Sequence, residues 1–329
     1  MPKIMFRCDS SKMTGTGHVT RCFALAEVFE RMGWDVIFCG EFEEPKWILE
    51  LLTRIKGLKI ESVKDALTSQ IQYDVVAFDS YDFVFNEQNS LAKYGNFIVS
   101  IVDEVSEKVN ADLYVSSLPL EYLDRFKKVS NYLFGPEYAL VRSEFLEFKN
   151  NSKNRFNRVS NPKVGIFSGG TARKELFDIL LPQITPVLDG WDFKLFAKKE
   201  EISDFLRDSA HLTIIEPSFK FYEQLSDVSL VIATASVSSW EFLCKGIPLS
   251  VYGIYENQRN TYKFLTNNSY AEGLGFTNNF ENLKIDQKNL NNCLINVLGK
   301  EFKIGMQKNI IDGLGPTRVC NEIINNLRK

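Results

Sequence analysis

Lys3-Ile4-Met5-Phe6-Arg7-Cys8 runs into Asp9-Ser10-Ser11-Lys12-Met13-Thr14-Gly15-Thr16-Gly17 and leaves as His18-Val19-Thr20-Arg21-Cys22. The first six residues are a short apolar run that reads as a buried strand. Gly15 and Gly17 let the chain turn tightly and let a ligand approach the backbone. Apolar residues then recur at helical spacing from about Val19 to Met32. Strand, glycine loop and helix together open a βα unit, and the helix start presents N–H groups toward the loop, where an anionic or polar ligand is favoured. His18 stands at that start. Histidine titrates near physiological pH, so a neutral imidazole here can serve as a base; equally, it can cap the helix or pack its first turn.

Outward from this stretch the alternation continues. Asp35–Cys39, Leu58–Val63, Val75–Phe78, Phe97–Val102 and Leu113–Val115 read as strands, and Lys46–Ile55 as a helix between two of them. Residues 150–162 are rich in Asn, Ser, Lys and Arg with few apolar anchors, and read as a linker. The pattern then restarts. Lys163–Phe167 is a strand ending in Ser168-Gly169-Gly170, and Phe193–Phe196, Leu212–Ile215, Leu230–Ala233 and Pro248–Tyr252 follow as strands two to five. Arg173–Leu181, Tyr222–Leu225 and Thr317–Leu327 are expected helices. The order predicts an α/β fold of two doubly wound domains, 1–149 and 163–329, facing a cleft at the carboxyl ends of their sheets, with the last helix free to pack back on the first domain.

Composition limits the function classes. The chain has 329 residues and a formal net charge of −3, with no stripe of Lys and Arg, which argues against nucleic acid as a partner. None of the six cysteines forms a C-x-x-C pair, so a zinc site is not expected and reduced, buried thiols are. Met1-Pro2-Lys3-Ile4-Met5-Phe6-Arg7 turns polar too early for a signal peptide, and no apolar run approaches the ~20 residues that span a bilayer. The expectation is a cytoplasmic protein without a membrane segment; the sequence leaves the oligomeric state open, with a monomer among the options.

Two further segments carry chemistry. Leu230-Val231-Ile232-Ala233-Thr234-Ala235-Ser236-Val237-Ser238-Ser239-Trp240-Glu241 takes a strand through hydroxylated residues into a helix. Ser238 or Ser239 is the expected cap, and a diphosphate fits the helix N-terminus. Glu241 either accepts hydrogen bonds from a ribose diol or stabilises the helix dipole. In Tyr252-Gly253-Ile254-Tyr255-Glu256-Asn257-Gln258, the amides Asn257 and Gln258 can hold sugar or phosphate without adding charge, although a helix cap also explains Asn257. His211 reads as a surface residue at the start of a strand.

Taken together, these segments resemble the pseudaminic-acid pathway hydrolases that release UDP from UDP-2,4-diacetamido-2,4,6-trideoxy-β-L-altropyranose. The resemblance rests on Arg7 through Cys22, Asp79-Ser80-Tyr81, Val102-Asp103-Glu104, Phe134 through Arg142, Ser168-Gly169-Gly170, Ser239-Trp240-Glu241, Gly246-Ile247-Pro248 and Glu256-Asn257-Gln258. It implies two Rossmann-like domains of GT-B type and hydrolysis of a UDP-sugar, in the biosynthesis of a nonulosonic acid of the pseudaminic type, with neither cofactor nor metal. His18 would activate water. Asp9, Gly15, Gly17, Tyr81, Asn257 and Gln258 would lie at the sugar, and Gly169, Gly170, Ser236, Ser238, Ser239 and Glu241 would hold UDP. A GT-B glycosyltransferase using a UDP-sugar donor is the alternative, and a non-catalytic sensor, which would not need His18, is a third. The chain departs from the family at Ala235-Ser236-Val237, where glycine is usual, and at Thr171-Ala172-Arg173-Lys174, where an acidic residue is expected. A β-branched Val237 restricts that loop.

Overall fold

The computed structural model describes residues 1–11, 14–42, 45–80, 85–103, 110–147, 162–169, 174–188, 190–204, 211–298 and 310–328. The chain divides into two compact units, Met1–Ser143 with Ile311–Lys329, and Glu144–Ile310. Of the expected linker, residues 150–162, only Pro162 lies among the described residues.

The first unit holds a parallel sheet of seven strands: β1 (Lys3–Cys8), β2 (Asp35–Cys39), β3 (Lys59–Glu61), β4 (Tyr73–Asp79), β5 (Gly95–Ile101), β6 (Leu113–Ser116) and β7 (Tyr132–Phe134). Their order is β3-β2-β1-β4-β5-β6-β7. The second unit repeats the plan with β8 (Lys163–Phe167), β9 (Asp192–Phe196), β10 (Leu212–Ile215), β11 (Leu230–Thr234), β12 (Leu249–Gly253) and β13 (Glu272–Phe276), ordered β10-β9-β8-β11-β12-β13. In both sheets the order reverses beside the first strand, and ligands of open α/β sheets bind at that switch point. The central strands are buried nearly end to end, as parallel sheets covered on both faces require.

Helix α1 (Gly17–Arg31) buries ten of its residues, from His18 to Phe29. Such a wide apolar surface needs two partners, and α1 packs on β1 and β2 as well as on the C-terminal helix Gly315–Leu327. That helix is tied back by Arg318, whose guanidinium donates to the Glu137 carbonyl and pairs with Asp312. In the second unit, Val164 and Ile166 of β8 pack against Leu176, Phe177, Leu180 and Leu181 of helix Lys174–Ile184.

β7 and β13 go beyond the sequence expectation. β13 reads Glu272-Gly273-Leu274-Gly275-Phe276, and its two glycines hide the strand signal. Both are required by close approach. A Cβ on Gly273 would sit 2.5 Å from the Tyr262 hydroxyl, and one on Gly275, at φ +134°, 2.5 Å from the Lys284 carbonyl oxygen. Tyr222–Leu225, expected as a helix, belongs to a 3₁₀ turn, Phe221–Leu225. All six cysteines are buried and outside any disulfide. Burial pushes the thiols of Cys39, Cys293 and Cys320 up to about 12, the behaviour of inert core thiols. Among the described residues no helix is long and apolar enough to cross a membrane.

One glycine fixes the carboxyl end of the first sheet. Gly40 follows β2 at φ +154°, and a Cβ there would lie 2.0 Å from the Cys8 carbonyl oxygen and 2.7 Å from Asp9 Oδ1. Backbone cannot yield as a flexible side chain can, so Gly40→Ala should destabilise the protein by about 1–3 kcal/mol. A thermal melt checks this, and an unchanged midpoint would show that the β1–β2 end is looser than these distances say.

Candidate active site

The β1–α1 loop is a built turn. The Thr14 N–H donates to Ser11 Oγ at 3.1 Å, the Ser11 N–H to Thr14 Oγ1 at 3.2 Å, and the Gly15 N–H to the Ser11 carbonyl at 2.9 Å. Gly15 has φ +73°, a conformation that favours glycine. Gly17 is the first residue of α1, and Thr16 before it makes no side-chain cap. Asp9 commits both carboxylate oxygens to the chain. Oδ2 accepts from Arg7 at 2.6 Å, and Oδ1 accepts from the Glu41 N–H at 2.8 Å, joining the ends of β1 and β2.

His18, Arg21 and Cys22 stand at i, i+3 and i+4 of α1 and therefore share one face. That face meets Asp79, the last residue of β4, which is paired in register with Cys8 at the end of β1. The Asp79 carboxylate is fully buried. Oδ1 accepts from His18 Nδ1 and from Arg21 Nη2, both at 2.6 Å, and Oδ2 accepts from Arg21 Nε at 2.5 Å and from the Cys22 thiol at 3.7 Å. Burial alone would raise the Asp79 pKa. The Arg21 charge and the His18 and Arg21 hydrogen bonds outweigh it, so the carboxyl is held below its usual range. An ionised carboxylate only accepts, so His18 carries its proton on Nδ1 and Nε2 is the basic nitrogen. A carboxylate that fixes the tautomer of an imidazole is the arrangement used by general bases in acyl-transfer enzymes. Asp103, after β5, lies 3.8 Å from Arg21 Nη2.

Of the other candidates, Tyr81 and Gly170 lie outside the described residues, as do Glu104 and Thr171-Ala172-Arg173. In the second unit Ser168, buried at the end of β8, has an Oγ without a protein partner among the described residues. Gly169 follows at φ +71°, and a Cβ there would lie 3.1 Å from Thr234 Oγ1. The turn after β11 is thus packed against the end of β8. Helix Val237–Lys245 is capped by Ser236 rather than by Ser238 or Ser239, because the chain stays extended through Ser236 (φ −135°, ψ −174°). Ser239 Oγ accepts from the Ser236 N–H and donates to the Thr234 carbonyl, both at 3.3 Å. Ser238 is half-buried. No residue from 235 to 237 needs a left-handed backbone, so Val237 opens the helix without strain where the family has glycine. Glu241 is buried in the second turn, and the first turn holds no acidic residue, which leaves the dipole reading of Glu241 without its geometry.

Asn257 is exposed on the 3₁₀ turn Glu256–Gln258. It caps nothing: the residue before helix Arg259–Asn267 is Gln258, whose Oε1 accepts from the Ile254 N–H at 2.9 Å. His211 is mostly exposed and lies 3.2 Å from Asp192. Sequence reasoning missed Asp79 and Arg21 as site residues. The spacing of His18, Arg21 and Cys22 was visible, but only the pairing of β1 with β4 brings Asp79 to that face.

No protein-family profile matches the chain. It is 26% identical over 285 residues to an uncharacterized protein of Methanocaldococcus jannaschii, covering 79% of this chain and 57% of that protein. It is 28% identical over 183 residues to the UDP-2,4-diacetamido-2,4,6-trideoxy-β-L-altropyranose hydrolase of Campylobacter jejuni, covering 53% of this chain and 62% of the hydrolase. The chain therefore spans less than two thirds of the length of either relative. Among solved structures it superposes on MurG of Acinetobacter baumannii with a TM-score of 0.66 at 14% identity, over 99% of this chain and all of that one. The UDP-GlcNAc 2-epimerase of Neisseria meningitidis bound to UDP-GlcNAc gives 0.66 at 9% identity, over 98% and 100%. Two parallel-sheet α/β domains of GT-B type are the fold these structures share with it.

The lowered Asp79 pKa has a consequence for stability. A depressed folded-state pKa contributes stability that is present above the unfolded carboxylate value, about 3.9, and lost as pH falls through the folded one. Asp79→Asn should therefore cost about 3–5 kcal/mol at neutral pH, the range for breaking one partner of a buried ion pair, and should flatten the loss of stability on acidification. Urea unfolding at neutral and acidic pH checks both. Parallel pH dependences for the two proteins would remove Asp79 from the acid response.

Proposed function

We propose that the chain hydrolyses a UDP-linked 2,4-diacetamido-2,4,6-trideoxyhexose, releasing UDP. The observation that carries the reading is the buried carboxylate that holds His18 in the Nδ1–H tautomer at the head of a glycine-loop helix. The Campylobacter jejuni relative supports the substrate class.

In this reading His18 Nε2 takes a proton from water while the water oxygen attacks the anomeric carbon. The bond from that carbon to the diphosphate oxygen breaks, UDP leaves with the electron pair, and configuration inverts. The proton rests on His18 as imidazolium, which the Asp79 carboxylate stabilises. Gly15, Gly17 and Asp9 shape the loop at the sugar, with Tyr81, Asn257 and Gln258 as further sugar contacts. The N–H groups at the start of helix Val237–Lys245 and the hydroxyls of Ser236 and Ser238 stabilise the departing diphosphate, with Ser239 bracing the turn, Gly169 and Gly170 beside it and Glu241 on the ribose. The charge on the leaving group is met by dipoles and hydroxyls, so the reaction needs no metal.

Purified protein incubated with this UDP-sugar and no acceptor should release UDP, in EDTA as in buffer. His18→Asn should lower turnover by about 10²–10⁴ while leaving UDP affinity unchanged. Release that depends on an added sugar acceptor would make the protein a transferase instead. For the nucleotide site, Glu241→Ala should weaken UDP binding by about 1–3 kcal/mol, the range for a lost hydrogen bond to a charged group. Calorimetry decides it: equal UDP affinity in a folded Glu241→Ala variant takes the ribose away from Glu241.

A further inference from the structure

Asp79 has four acceptor positions, and the four donors around it are shared unequally. Arg21 fills two of them and brings a full positive charge against the carboxylate. His18 Nδ1 and the Cys22 thiol fill the others. Arg21 Nη2 also lies 3.3 Å from His18 Nδ1. Nδ1 bears a hydrogen, so that contact is not a hydrogen bond. It places a cation where an imidazolium would have to form. Burial first, and Cys8 of β1 second, push the Cys22 thiol well above its usual range, which leaves it neutral. Asp103 touches Arg21 at 3.8 Å, and Arg7 of β1 is paired with Asp9.

We propose that Arg21 is a positioning residue that keeps the Asp79–His18 pair one proton short, so that Nε2 of His18 stays deprotonated and basic. Without Arg21, the described donors left to the buried carboxylate would be one nitrogen and one weak thiol. Burial penalises the uncompensated charge, and the pair takes up one proton from solvent. That proton has two resting places along the Nδ1–Oδ1 hydrogen bond. Either the imidazolium faces the carboxylate, or the carboxylic acid donates to Nδ1 of a neutral ring. The proton count is the same, and in both arrangements Nε2 carries a hydrogen. The base is silenced although His18 and Asp79 are intact.

The kinetic half of this inference rests on the reading of His18 as the base; the protonation half does not. The chain has only two histidines, and His211 is exposed at the start of β10, so the two imidazoles are separable by ¹⁵N NMR. The neutral ring of His18 in the unaltered protein should carry its hydrogen on Nδ1. In Arg21→Met, Nε2 should carry a hydrogen at neutral pH, whether or not Nδ1 keeps its own, with the original pattern returning only in alkali. In the UDP-release assay kcat should fall by about 10²–10⁴ and recover as pH rises, with KM and UDP affinity unchanged. Arg21→Lys, which keeps the charge and loses the bidentate grip, should fall between the two and guards against a Met variant that fails to fold. A hydrogen on Nε2 in the unaltered protein, or an unchanged ring pattern in Arg21→Met, overturns the proposal. The expected ring changes in a protein that releases no UDP would sustain the role of Arg21 and overturn the hydrolase reading alone.

Discussion

The carboxylate of Asp79 is buried where water cannot solvate it, and its charge survives only because four donors converge on it. An unpaired charge in that position would cost several kcal/mol, so the elements that bring the donors are constrained together. β4 must lie beside β1 to place Asp79 at the carboxyl end of the sheet. α1 must leave β1 through a short loop to turn His18, Arg21 and Cys22 toward it. The loop in turn needs Gly15 at positive φ, and Gly40 must lack a side chain where β2 presses on β1. The C-terminal helix packs on α1, which ties it to the first βα unit.

The second unit solves a different problem with the same topology. Its first strand also ends beside the switch point, and the turn after β11 brings serine side chains to the start of helix Val237–Lys245. An arrangement of this kind suits a ligand that brings its own negative charge. In the proposed reading the first unit supplies a proton acceptor held by a carboxylate, and the second supplies the groups that meet the departing anion.

Much of this was legible in the sequence, and the gaps have physical causes. The strand–glycine–helix signature of residues 3–22 marks the first βα unit, and His18 stands out at its turn. β8 and β11 are apolar runs ending in small or hydroxylated residues, which marks the second unit. β13 escaped because a strand whose backbone touches Tyr262 and Lys284 must carry glycine, and glycine reads as a turn. The cap of helix Val237–Lys245 was placed two or three residues late, because a run of serines does not show where the extended backbone ends. Asp79 escaped for a deeper reason. It is 61 residues from His18, and only the parallel pairing of β1 and β4 makes the two neighbours.

The central claim is that water attacks carbon, with His18 as its base. Hydrolysis in ¹⁸O-labelled water, followed by mass spectrometry of the released UDP, tests it most directly. Attack at the anomeric carbon leaves UDP at its unlabelled mass. Label in the diphosphate would mean attack at phosphorus, and would contradict the role of His18 as the base for attack at carbon.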